Sequence, residues 1–189
     1  MFDFSLLNIC IRLFGLLGIA STVAAYQCKK HSWMIGLRTA NELLFAAQYL
    51  LLGGYTGAAL NVLSSCRNII FIERVKKEKS TNLWRIVFSV IFIIISIFTF
   101  SGFPTVIFCV GKVITTYVYG SRNLTFVRVM TIVTGIMWIT YNFILGAYEA
   151  IAADLLTVVS AGIAIRRIDM KAHREKKEKA RSRASEQTP

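Results

Sequence analysis

The sequence predicts an all-α polytopic membrane protein with seven transmembrane helices, arranged as two parallel three-helix bundles joined by a linker helix. Three observations predict it. Apolar runs of about 20 residues recur along the 189-residue chain, each long enough to cross ~30 Å of hydrocarbon as a helix. Lysines and arginines gather in alternate loops and in the tail. The second half of the chain also repeats the first at a constant offset. Composition agrees: 55% of residues are hydrophobic and 17% charged, with mean hydropathy +0.57, whereas a soluble domain is about a quarter charged. The apolar runs lack the period-two alternation that a membrane barrel needs.

The spans fall at 5–26, 33–53, 54–72, 83–100, 105–120, 125–146 and 147–168. The first is not read as a signal peptide: it has no positive start, Asp3 stands there instead, and Arg12 interrupts the apolar stretch. Two hairpins are tight and turn at Gly53-Gly54 and Gly146-Ala147, where glycine tolerates the backbone angles of a short turn. Lys29, Lys30, Arg74, Lys76, Lys77, Lys79, Arg122 and the basic tail follow spans 1, 3, 5 and 7. The remaining loops carry neither Lys nor Arg, which predicts an outer N-terminus and a cytoplasmic C-terminus. The net charge of +12 is then topological, and nucleic acid is not an expected partner. Cys10, Cys28, Cys66 and Cys109 are scattered, so no metal or redox centre is expected.

Residues 41–74 fall on 134–167 when the chain is slid by 93 positions. Leu52, Gly53, Tyr55, Ala59 and Leu63 meet Leu145, Gly146, Tyr148, Ala152 and Leu156; Gly18 meets Gly111 and Thr22 meets Thr115. The offset spans an even number of helices, so both copies enter from the same side, as a parallel repeat. The predicted organisation is a first triple-helix bundle at 1–76, a linker helix at 77–101, a second bundle at 102–169 and a basic cytoplasmic tail at 170–189. The linker is apolar nearly all round, apart from Arg85, Ser89, Ser96 and Thr99, and can face lipid on most sides. Each of the other six spans carries polar or small residues at helical spacing, and such faces must converge on each other or on water.

Depth selects the candidate site. Asn61 and Asp154 lie about eight residues, or ~12 Å, from the outer ends of their spans. Lys112 and Glu42 also fall near the midplane, where each charge costs about 2.5–3.5 kcal/mol on insertion scales. Trp138, Tyr141 and Asn142 share one helix face and offer an aromatic surface beside an amide. The expected substrate-binding residues are therefore Asn61, Asp154, Glu42, Trp138, Tyr141 and Asn142, with Lys112 as counter-charge. A competing reading makes Lys112 a structural partner of Asp154 or Glu42. Arg67 and Arg38, nearer the basic loops, are expected to snorkel. No GxSxG, HExxH or P-loop occurs, so no catalytic residue, no metal and no cofactor is predicted. Glu42 with Asp154 as an intramembrane acid pair is not favoured.

"GGYTGAALNVLSSCRNIIF" followed by "WITYNFILG" resembles the bacterial inner-membrane YgjV family, over about residues 9 to 169. The parallel three-plus-one-plus-three layout also resembles the SWEET and PnuC transporters and the single-repeat SemiSWEETs. The SWEET resemblance implies a pair of asparagines facing the pocket; Asn61 matches, whereas Asp154 departs from it and favours a cationic or zwitterionic solute, or proton coupling, over neutral sugar. SWEET bundles hinge at prolines in the first helix of each repeat. This chain has only Pro104 and Pro189, which leaves Gly15, Gly18 and Gly111 as the flexing positions. PnuC relatives bind a nicotinamide nucleoside with aromatics, a style that Trp138 and Tyr141 fit. The resemblance carries no established substrate. The function expected is transport of a small polar solute through a midplane cavity by alternating access. The alternative is a sensor or assembly partner whose polar core is structural. The partners expected are that solute and the lipid bilayer; oligomeric state has no sequence signal.

Overall fold

The computed structural model describes residues 6–52, 55–98, 100, 102–144, 148–175 and 177–178. Among these are seven α-helices and no strand: α1 Leu6–Gln27, α2 His31–Leu51, α3 Tyr55–Lys76, α4 Asn82–Phe98, α5 Phe103–Tyr119, α6 Leu124–Ile144 and α7 Tyr148–Ala164, which continues as a π-helical turn, Ile165–Asp169. The turns predicted at Gly53-Gly54 and Gly146-Ala147 lie outside the described residues, as do the side chains of Tyr55 and Tyr148.

Local chemistry sets the helix ends. α3 stops where Lys79 N–H bonds Arg74 O at 2.9 Å and Glu78 N–H bonds Val75 O at 3.2 Å, with Glu78 at φ 54°. This pair of bonds is the Schellman stop, which usually places glycine at that left-handed residue. α5 begins after Gly102, whose φ of 110° favours glycine, and Pro104 sits in its first turn, where a missing N–H costs nothing. The Asn123 carboxamide oxygen caps α6 by accepting from Phe126 N–H at 3.1 Å.

Sequence neighbours pack on one another: α2 lies between α1 and α3, and α6 between α5 and α7. α1 also packs on α7, α3 touches α5, and α4 lies mainly along α5. α4 buries one stripe, Phe88, Ser89, Phe92 and Ser96, and exposes Leu83, Ile86, Val90, Ile93 and Ile97. The stripe follows the spacing of three and four residues that a one-faced helix requires.

The apolar core sits at one end. Tyr26, Met34, Ile35, Phe71, Val118 and Val127 are all buried, and all belong to the helix ends that meet the basic loops. Small residues allow close packing elsewhere. A Cβ on Gly18 would meet Phe45 Cε2 at 3.1 Å, and one on Gly111 would meet Trp138 Cζ2 at 3.2 Å. Gly135 is tighter still, because a Cβ there would run into the Val158 side chain, which is β-branched and stiff. Gly135→Ala is therefore expected to part α6 from α7 and lower stability by about 1–3 kcal/mol. Unfolding in detergent, followed by helix signal, checks this; an unchanged midpoint would show that Val158 gives way freely.

Candidate functional site

The polar side chains buried between the helices form two tiers, joined at Lys112. The outer tier, farther from the basic loops, gathers the half-buried Trp138, Tyr141, Asn142 and Asp154. Phe108 of α5 completes it, with ring centroids 5.7 Å from Trp138 and 6.3 Å from Tyr141; Trp138 and Tyr141 stand edge-to-face at 5.8 Å. Edge-to-face contact is the favoured arrangement of such rings. Asn142 Nδ2 donates to Asp154 Oδ2 at 2.7 Å, a bond between neighbouring helices α6 and α7. Asn61 is half-buried on α3. Its backbone carbonyl accepts from Ser65 Oγ at 3.0 Å, and no hydrogen bond joins its side chain to another predicted site residue among those described.

Lys112 connects the tiers. Its Nζ lies 5.6 Å from the Phe108 ring and 6.0 Å from the Trp138 ring, within range of cation–π attraction. It donates to Ser64 Oγ at 3.1 Å and stands 3.9 Å from Glu42 Oε2. Lys112 thus faces Glu42 from the α5 side. Both are buried, at 8% and 7% exposure, so the pair is shielded from screening by water.

The inner tier corrects the snorkelling expectation. Arg67 is 1% exposed and turns into the protein. Its Nε and Nη2 donate to Asn68 Oδ1 at 3.2 and 3.0 Å, and its Nη1 to Thr116 Oγ1 at 3.0 Å. The guanidinium also lies over Phe92 of α4 at 5.7 Å and over Tyr119 at 5.4 Å. Arg38 donates to Thr22 Oγ1 at 3.0 Å, lies 5.7 Å from the Tyr119 ring, and reaches Glu42 Oε1 only at 3.9 Å. The reason for the difference is chemical: internal acceptors and two aromatic faces replace the water that snorkelling would seek.

Below this tier the helices are bound together at the basic-loop end. Tyr26 and Tyr119 meet hydroxyl to hydroxyl at 3.4 Å. Gln27 Nε2 donates to Ser160 O at 3.0 Å, and Ser160 Oγ donates to Val23 O at 2.7 Å. Arg128, fully buried, donates to the carbonyls of Tyr26 and Cys28 and to the Asp169 carboxylate. Sequence reasoning passed over Arg128 because two of its three partners are backbone carbonyls, which have no residue signature. Two surface grooves, of about 380 and 460 Å³, open among Arg85, Ser121 and Arg122 and among Thr125, Asp169 and His173. Neither includes a predicted site residue.

Among the described residues α1 and α6 are long and apolar enough to cross a membrane and α4 and α5 are shorter apolar helices, an all-helical arrangement consistent with a helical membrane protein whose buried charges need partners or a role. Residues 9–172 match the family model Imp-YgjV, described as bacterial inner membrane protein. The chain belongs to this family and is a bacterial inner membrane protein. No curated protein and no solved structure matches it.

Proposed function

We propose that the chain is a non-enzymatic transporter that carries a small polar solute across the inner membrane by alternating access. Two parallel bundles, α1–α3 and α5–α7, would rock about the polar tiers, with α4 as linker. The observation that carries this reading is a charged interior sealed by apolar and hydrogen-bonded contacts at the basic-loop end, while Trp138, Tyr141, Asn142 and Asp154 beyond it stay half-buried.

The repeat behind the two bundles has geometric support. Adding 93 to the bounds of α2 gives Leu124–Ile144, the bounds of α6, and adding it to those of α3 gives 148–169, α7 with its π turn. Phe45 on Gly18 corresponds to Trp138 on Gly111. The contacts α1 with α7 and α5 with α3 exchange under the same operation. Tyr26 and Tyr119 are equivalents 93 residues apart that touch each other, as residues beside a two-fold axis do. Basic loops on one side support a cytoplasmic C-terminus and make the sealed end the inner one. The protein as described would then face outward.

Reactivity tests the cavity. In a chain freed of Cys10, Cys28, Cys66 and Cys109, cysteines placed at Asn61 and at Asp154 are expected to react with a membrane-impermeant thiol reagent added from outside. The same cysteine at Ile93, on the exposed apolar face of α4, is expected to face lipid and stay unmodified. Protection of both cavity positions would mean a dry structural core and would return the protein to the sensor or assembly class. Solute uptake into proteoliposomes, with Asp154→Ala beside the parent, tests the outer tier. An Asp154→Ala protein that folds and moves every transported solute at the parent rate removes Asp154 from the site.

A further inference from the structure

Among the described residues, the inner tier holds three cations, Arg38, Arg67 and Lys112, and one carboxylate, Glu42. Each pair of cations shares a neighbour, which makes the group compact. Arg38 and Arg67 share the Tyr119 ring, at 5.7 and 5.4 Å. Arg67 and Lys112 share the Phe92 ring, at 5.7 and 5.8 Å. Arg38 and Lys112 share Glu42, one on each oxygen, both at 3.9 Å. Those last distances exceed hydrogen-bond range, so the single acid holds neither cation tightly. With all three bases charged, the formal balance is three positive against one negative, in a place where unpaired charge is costly.

Two atoms of the tier's own residues are unmatched, while Ser89 Oγ and Ser96 Oγ, on the buried stripe of α4, also lack a partner and can donate or accept. Arg38 Nε and Asn68 Nδ2 are buried without a partner, and Asn68 is 0% exposed. The orientation of Asn68 is set by its Oδ1, which accepts two bonds from Arg67, so the amide nitrogen must point away. Both leftover atoms are donors. A ligand that completes this tier must bring acceptors and negative charge.

We propose that the transported solute carries an anionic group, a carboxylate or a phosphate, which docks among Arg38, Arg67 and Lys112 and accepts from Asn68 Nδ2. The inference rests on the transport reading and narrows its substrate class. Arginine forks suit planar or tetrahedral oxyanions through paired N–H bonds. Lys112, beneath Trp138 and Phe108, lies between the outer tier and this site and would be the first cation the anion meets. The outer acid, Asp154, is already engaged by Asn142 and does not compete for these cations at hydrogen-bond distance.

The test uses the purified full-length protein in neutral detergent. Its unfolding temperature is read during titration at constant ionic strength with inorganic phosphate, succinate, the neutral succinamide and the cationic choline. Phosphate or succinate is expected to raise the unfolding temperature saturably, while succinamide and choline leave it unmoved; whichever anion acts names the group. Lys112→Met and Arg67→Lys, the second keeping charge but losing the fork, are each expected to weaken the response at least about tenfold. Arg122→Gln, in the surface groove, is expected to leave it intact. An anion response unchanged in both site variants would place binding elsewhere and overturn the proposal, as would a response to succinamide or choline alone, or to no probe. Uptake separates the two readings. If proteoliposomes take up a neutral solute while anions do nothing, only the anionic assignment falls. If anions bind through Lys112 but no solute moves, transport falls and the binding site stands.

Discussion

Arg128→Ala is expected to lower the stability of the protein by about 3–5 kcal/mol, the cost of removing one partner from a buried charge pair. Three acceptors lose their donors at once: the carbonyls of Tyr26 and Cys28 and the carboxylate of Asp169. Asp169 Oδ2 already has no partner, so the acid would be left without a bond at either oxygen. Arg128 joins α6 to the end of α1 and to the turn after α7, and all three should loosen together. Unfolding in detergent is the measurement. Adding Asp169→Asn should recover part of the loss, because it removes the stranded charge. A loss below about 0.5 kcal/mol, the usual range for surface substitutions, would show that this arginine is not a fastening.

Glu42→Gln is expected to cost about 3 kcal/mol, since it takes away the one carboxylate among the described residues that stands within ion-pair distance of Arg38 and Lys112. Geometry alone would not make the loss large, because both contacts stand at 3.9 Å. The cost comes from leaving buried Arg67 and Lys112 and half-buried Arg38 with no anion. Lys112→Met combined with Glu42→Gln should therefore be less damaging than the sum of the two, with a coupling of about 1–3 kcal/mol. Strict additivity in that double-mutant cycle would mean that the tier does not behave as one electrostatic unit.

Much of the helical layout was legible because the bilayer imposes a length. A span read at 33–53 is α2 at 31–51, and one read at 125–146 is α6 at 124–144; their starts differ by two residues and one, beside the polar His31-Ser32 and the Asn123 cap. The pairing of Lys112 with Glu42 was legible as one of two options, because two midplane charges of opposite sign need each other. The inner tier was not. Arg38 and Arg67 stand near basic loops, where the ordinary reading of an arginine is an anchor, and their true partners come from distant elements. Thr116 is 49 residues from Arg67, and Phe92 belongs to the helix that seemed most lipid-like. The one local hint was that Ser64, Arg67 and Asn68 share a face of α3. Asn61 was singled out by its likeness in depth to Asp154, yet Asp154 bonds Asn142 in its own helical hairpin.

The π turn after α7 has a consequence for the tail. Such a turn fits an extra residue into the helical path, and here that residue count carries Asp169 round to meet Arg128. Each residue of an α-helix advances the azimuth by about 100°. Wound as regular α-helix, the same residues would carry the carboxylate about 100° past its guanidinium and re-aim everything downstream, whereas a single deletion within Ile165–Ile168 would remove the turn and keep that aim. The compass bearing on which the basic C-terminal segment leaves the bundle is thus set by one residue of helical slack.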